Sequence, residues 1–193
     1  MKRPSRRGFT LIEAMVSLSI LGVAGSAALL TLNQSVQSVD ANVRNEIALG
    51  LAQQLIDELS TKMYMVPGDT PYDTYLGPSS TESSLPGRQY NDIDDYNGVR
   101  IQPPTDMWGI ALTTDNGDGK TRDPGFQMFA GDLSRWHQQV DVFYVSDTAL
   151  STPLTSGTSN YRMARVQILY DDPVRGTISL ATISTVFSYV PTP

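Results

Sequence analysis

The sequence predicts an α+β fold: a long N-terminal helix, membrane-spanning in its first half, packed on a C-terminal antiparallel β-sheet. Three observations predict it. An apolar run extends from Phe9 to Leu32 with Glu13 as its only charge. Val36, Val39, Val43, Ile47, Leu51, Leu55 and Leu59 then recur at helical spacings of three and four, and no proline occurs between Pro4 and Pro67. The stretches Tyr161 to Tyr170 and Thr177 to Val190 are rich in Val, Ile, Thr, Tyr and Phe, the residues that fit a pleated, half-buried surface.

At about 1.5 Å rise per residue the run from Phe9 to Leu32 is long enough to cross a hydrocarbon core of roughly 30 Å. Lys2, Arg3, Arg6 and Arg7 precede it and no basic residue follows until Arg44. The positive-inside rule therefore places the N-terminus in the cytoplasm and the remainder across the membrane. The run is too long for an ordinary secretory signal peptide, and its small-residue cleavage candidate, Gly8, comes before it rather than after. Glu13 demands a partner and a role, because an acid at the bilayer centre costs about 2.5 kcal/mol or more. Its position one turn into the run lowers that cost.

The hexapeptide Gly8-Phe9-Thr10-Leu11-Ile12-Glu13 resembles, at every position, the prepilin N-terminal signal of type IV pilins and type II secretion pseudopilins. The resemblance implies a pilin-like fold and cleavage between Gly8 and Phe9 by a prepilin peptidase on the cytoplasmic face. It also implies N-methylation of the new Phe9 amine, retention in the inner membrane, and assembly with other pilins or pseudopilins of the same filament. Cleavage creates an ammonium at Phe9, and a carboxylate at i+4 is placed near it or near the amine of a neighbouring subunit. An ion pair in low dielectric is strong but offset by desolvation, so its main effect is on register between adjacent helices. The resemblance assigns Glu13 the same role in guiding a subunit into the filament. The alternative is a signal anchor in which Glu13 snorkels to the headgroups.

Beyond Leu32 the helix continues to about Met63, giving a nearly continuous rod of about 80 Å. Asn42, Asn45, Asp57 and Glu58 fall off its apolar stripe. Gly22, Gly25 and Gly50 each cost about 1 kcal/mol against alanine. Gly22 and Gly25, with Ala24, Ser26, Ala27 and Ala28, permit close helix approach or are ordinary transmembrane glycines. Many major pilins carry a kinking proline here; this chain has Leu29, Leu30 and Leu32 instead, which favours a minor pilin or pseudopilin.

Past Met65 turn formers crowd the chain at Pro67-Gly68-Asp69, Gly77-Pro78-Ser79-Ser80 and Leu85-Pro86-Gly87, so residues 66 to 98 read as a long irregular loop. Loops of this length are usually functional or mobile. The segment contains Tyr90-Asn91-Asp92-Ile93-Asp94-Asp95-Tyr96-Asn97-Gly98, which is similar to an Asp-Asp-Tyr-centred segment in minor pilins of the mannose-sensitive haemagglutinin D subunit type. Carboxylates so close together repel unless solvated, hydrogen-bonded to nearby amides or bound to a hard cation. Calcium takes six to eight oxygens, and Asp92, Asp94 and Asp95 could supply several. A solvated or self-capping turn is the competing reading. Asp115-Asn116-Gly117-Asp118-Gly119-Lys120 fails the register of an EF-hand loop and reads as a hairpin turn.

The C-terminal half reads as strands. Val140, Val142 and Tyr144 alternate, and Asp171-Asp172-Pro173-Val174-Arg175-Gly176 joins the last two strands as a hairpin. Val99 to Gln102, Ile110 to Thr114 and Phe126 to Phe129 could add short ones. Laid on the second half of the helix, the sheet would bury the valine and leucine stripe. In the last strand Ile178 and Leu180 share one parity and Ile183 and Phe187 the other, which predicts a bulge near Ala181. The resulting plan is a leader at 1–8, a membrane helix at 9–32, an exported amphipathic half at 33–64, a variable loop at 65–98 and a sheet domain at 99–193.

The 193 residues, 40% of them hydrophobic, suffice for one modest globular domain beside the membrane helix. The absence of cysteine excludes disulfides and thiolate metal sites. Pilins of the resembled family often close a C-terminal loop with a disulfide, so strand pairing or a metal must do that work here. Cleavage after Gly8 leaves 10 Lys+Arg against 20 Asp+Glu, moving the formal charge from -6 to -10. Such acidity opposes nucleic-acid binding. One histidine, His137, and no nucleophile elbow, P-loop or dinucleotide fingerprint argue against an enzyme. His137 reads as a partly exposed structural residue opening a strand. Two functions fit these features: a minor pilin or pseudopilin needing no cofactor, or a membrane-anchored binding or adhesion protein that uses the prepilin route and displays the acidic loop.

Overall fold

The computed structural model describes residues 10–84, 87–112 and 133–191. Packing divides the chain into two compact units, Met1–Arg44 and Asn45–Pro193. Helix α1 (Leu11–Ser60) contributes to both.

In the first unit α1 opens at Thr10, whose hydroxyl accepts a hydrogen bond from the Glu13 amide at 3.3 Å. The apolar side chains that follow, from Leu11 to Leu32, are exposed, as suits a segment solvated by lipid. Hydroxyls in and just beyond this run turn inward. Ser19, Ser26, Thr31 and Ser35 donate to the carbonyls of Met15, Gly22, Ala27 and Thr31 at 2.8–3.0 Å. Each donor is thereby satisfied within the helix, the requirement a hydrocarbon solvent imposes. A Cβ at Gly22 or Gly25 would meet nothing within 4 Å, so no contact within the chain requires glycine there.

The second unit is built on a fully antiparallel sheet of β1 (Val99–Ile101), β2 (Trp136–Ser146), β3 (Ala149–Pro153), β4 (Tyr161–Asp172) and β5 (Gly176–Ser188). The spatial order is β1-β2-β4-β5, with β3 paired to β2. Alternation in β2 sends Trp136, Gln138, Val140, Val142 and Tyr144 inward. They face, in register, Tyr170, Ile168, Val166, Ala164 and Arg162 of β4. Ala48, Leu51, Ala52, Leu55, Ile56 and Leu59 of α1 join this face in one core.

The predicted hairpin is present as β4 and β5. Asp172 Oδ1 accepts from the amides of Val174 and Arg175, both at 2.9 Å, and Gly176 takes the positive φ of 75° that closes the turn. The bulge also lies where parity predicts it: Ile168 pairs with Ala181 but Leu169 with Ser179, leaving Leu180 as the extra residue. The slip lets Ile178 pack on the same core as Ile183 and Phe187.

The structure corrects the expected burial of the α1 stripe. Only Ile47 onward packs into the core, whereas Val36, Val39 and Val43 are exposed. Helical period identifies an apolar face but not the length over which the sheet covers it. Ile110 to Thr114 yields no strand among its described residues, only an isolated bridge between Thr105 and Ala111. The expected strand at 126–129 and turn at 115–120 lie outside the described residues.

Candidate functional site

Two groups of predicted site residues lie in different units and are taken separately. At the head of α1, Thr10 and Glu13 form a reciprocal capping box. The Glu13 amide donates to Thr10 Oγ1, while Glu13 Oε2 accepts from the Thr10 amide at 3.4 Å and from its hydroxyl at 3.3 Å. The acid thus occupies the positive end of the helix and satisfies a donor that hydrocarbon could not. Its signature, Thr-x-x-Glu ahead of an apolar run, was legible in the sequence beside the charge argument. Gly8 and Phe9 lie outside the described residues.

Asp92, Asp94 and Asp95 are brought together in a turn that ends in a 3-10 helix, Asp94–Tyr96. The turn caps itself. Asp95 Oδ2 accepts from the Asn91 amide at 3.3 Å and Asp92 Oδ1 from the Asp95 amide at 3.4 Å. It is not solvated: Asp92 and Asp95 are only 6% and 4% exposed, because Ile93 and Tyr96 beside them belong to the core. A residue of β4 that sequence reasoning missed completes the cluster. Arg162, buried, donates to Asp94 Oδ1 and to the carbonyl of Tyr64, both at 2.6 Å. Its guanidinium also meets the Tyr144 hydroxyl at 3.1 Å and stacks 4.5 Å from the Tyr64 ring centre.

Burial sets the electrostatics. It pushes the Asp92 carboxyl up to about 7, with the charges of Asp94 and Asp95 adding to the effect. Asp94 is also raised by burial, though Arg162 opposes it, and Asp95 is raised by burial and by Glu82. Burial likewise lifts the Tyr64 phenol to about 12. Burial and the neighbouring charges thus favour the protonated form of Asp92, while Arg162 opposes protonation of Asp94. Among the described residues no three His, Cys, Asp or Glu side chains are grouped to hold a metal ion.

A second buried arginine pins the same loop to α1. Arg88 grips Glu58 through two parallel hydrogen bonds of 3.0 Å and also bonds Thr105, while the Tyr96 hydroxyl donates to Glu58 Oε1 at 2.7 Å. The expected irregular loop is therefore irregular in backbone yet anchored at both arginines. His137 sits half-buried in β2 with Nε2 2.8 Å from Asp171 Oδ2. The Thr177 hydroxyl and His137 together hold the Asp171 carboxyl below its usual range.

In comparisons with known proteins, residues 3–29 match the family of the prokaryotic N-terminal methylation motif. That family is structural rather than catalytic, and the motif implies processing by prepilin peptidase and assembly with other pilins. No curated protein and no solved structure matches the chain. The motif and the exposed apolar helix fit a membrane-anchored protein. A prepilin-type N-terminal motif leading into a long apolar helix, with an antiparallel sheet behind it, is consistent with a type IV pilin-like protein.

Proposed function

We propose that the chain is a minor pilin or pseudopilin, a structural subunit that assembles through its N-terminal helix into a type IV pilus or a type II secretion pseudopilus. The observation that carries this reading is the methylation motif at residues 3–29 running into an apolar helix that keeps one acid, Glu13. Prepilin peptidase cuts between Gly8 and Phe9, the Phe9 amine is methylated, and the subunit waits in the inner membrane with its N-terminus cytoplasmic and its sheet unit periplasmic. Glu13, already directed back to the first turn by Thr10, then meets the ammonium of Phe9 in a neighbouring subunit. The proline-free helix supports a minor rather than a major subunit, as does the likeness of residues 90–98 to minor pilins of the mannose-sensitive haemagglutinin D subunit type.

The burial of Asp92 and Asp95 speaks against display of the acidic turn to a ligand. In this reading the turn is a structural, proton-holding element and the subunit needs no cofactor. Calorimetry with millimolar calcium is then expected to give neither heat nor a melting shift, and a saturable heat would reassign Asp92, Asp94 and Asp95 as calcium ligands.

The experiment is mass spectrometry of the N-terminal peptide from cells containing the peptidase, paired with co-purification of filament partners. A chain beginning at methylated Phe9 is expected, and Glu13→Ala should be cleaved normally but recovered poorly with the other subunits. An uncleaved wild-type chain, or full co-purification of the variant, would sink the proposal.

A further inference from the structure

Between α1 and the turn at Asp106–Gly109 lies a cavity of about 470 Å³, walled by Gln54, Asp57, Glu58 and Thr61 on the helix and by Asp106, Met107 and Trp108 on the turn. All of these belong to the second unit. Trp108 is 56% exposed at its rim, while the other tryptophan, Trp136, is in the core. An exposed indole is the side chain that most often dominates a binding surface, and its face attracts cations.

The turn that presents Trp108 is braced on every side. Asp106 Oδ1 accepts from the amides of Trp108 at 2.9 Å and Ile110 at 3.0 Å. The Gly109 amide donates back to the Asp106 carbonyl at 3.0 Å, and the Arg88 amide donates to the Met107 carbonyl at 2.8 Å. Gly87 backs the turn so closely that a Cβ there would lie 2.4 Å from Gly109 N and Trp108 C. Arg88 then ties the assembly to Glu58 of α1. A rim held this firmly loses little freedom on binding, which is the condition for affinity from a small contact.

The chemistry of the cavity selects a cation. The charge of Glu58 is paired with Arg88, and Glu58 also accepts from the Tyr96 hydroxyl, but Asp57 is exposed and its hydrogen-bond partner is the uncharged Gln53 at 2.8 Å. Among the described residues no cationic side chain forms an ion pair with Asp57. From this juxtaposition of an exposed indole on a braced turn and the exposed Asp57 carboxylate we infer that the cavity is a docking site for a lysine or arginine side chain of a partner protein. The cation lies over the Trp108 face with its donors toward Asp57, and its aliphatic stem runs along Met107. Binding needs no assembly of the N-terminal helix, so it is independent of the filament reading.

The test uses the full chain in maltoside micelles, which carry no cation, with ¹⁵N-labelled tryptophan and argininamide as probe. Trp108→Phe assigns the two indole signals, and Trp136 serves as the internal control. The expected result is a saturable shift of the Trp108 signal alone, weakened by salt and weakened roughly five-fold or more by Asp57→Asn. Trp108→Ala should abolish the binding heat while leaving the Trp136 signal in place. The inference is overturned if the Trp108 signal does not move, if citrullinamide, which lacks only the guanidinium charge, moves it equally, or if Asp57→Asn binds argininamide unchanged. A tighter response to choline than to argininamide also overturns it, by assigning the cavity to a lipid headgroup instead of a protein.

Discussion

Arg162 and Asp92 carry opposite consequences of the same burial. Arg162 is compensated by a carboxylate, two aromatic faces and backbone carbonyls, so its removal leaves Asp94 without its guanidinium. Arg162→Met should therefore lower stability by about 3–5 kcal/mol in urea unfolding, and Asp94→Asn in the same chain should recover part of the loss. Among the described residues no such cation pairs with Asp92, and burial with the neighbouring charges lifts its carboxyl from 3.8 to about 7. A raised acid makes the folded state bind the proton more tightly than the unfolded one. Its contribution is fully present below pH 3.8 and is lost as pH rises through about 7. Asp94 and Asp95 are displaced in the same direction, whereas the lowered Asp171 acts only in acid, losing its contribution as pH falls through its depressed value. The melting temperature is accordingly expected to be higher at about pH 5.5 than at about pH 8, and Asp92→Asn, which keeps the acceptor for the Asp95 amide, should flatten that difference. A wild-type profile that rises with pH across this interval would refute the assignment. None of this was legible from the acids themselves, because the deciding arginine is 68 residues away in sequence and only the β4 register brings it to the turn.

Within the elements, patterns were readable wherever the side chains report their own periodicity. The bulge at Leu180 follows from a parity change in β5, and β2 follows from strict alternation, since both are local consequences of a two-residue repeat. Strand β3 has no such signature: all five of its residues are exposed, so no buried face marks it. The α1 stripe shows the other limit, because its period is uniform while its cover is not. Leu55 is fully buried and Val39 is 62% exposed although both lie on the same predicted face. Leu55→Ala should therefore cost about 2–5 kcal/mol, and Val39→Ala should change the stability of the isolated chain by less than about 0.5 kcal/mol. Urea titration of the two variants side by side checks this, and an equal loss in both would mean that the stripe is covered at Val39 as well.

At the scale of the whole molecule, every buried hydrophobic residue among the described residues lies at Ala48 or beyond, inside the unit that begins at Asn45. The described residues of the membrane run, legible from an apolar stretch, thus contribute no side chain to the buried core. The core itself needs the last turns of α1, which no reading of the membrane run reveals. A chain starting at Asn45 should then fold cooperatively, with dispersed amide resonances and a single unfolding transition close to that of the full chain in micelles. A chain starting at Gln53 lacks Ala48, Leu51 and Ala52, all exposed by 1% or less, and should not. Losing one buried leucine alone removes about 2–5 kcal/mol from a domain whose total is about 5–15 kcal/mol, and two buried alanines go with it. The comparison separates two architectures. If both truncations fold alike, the helix is an accessory to a self-sufficient sheet; if only the longer one folds, residues 45–60 are the structural spine of the second unit.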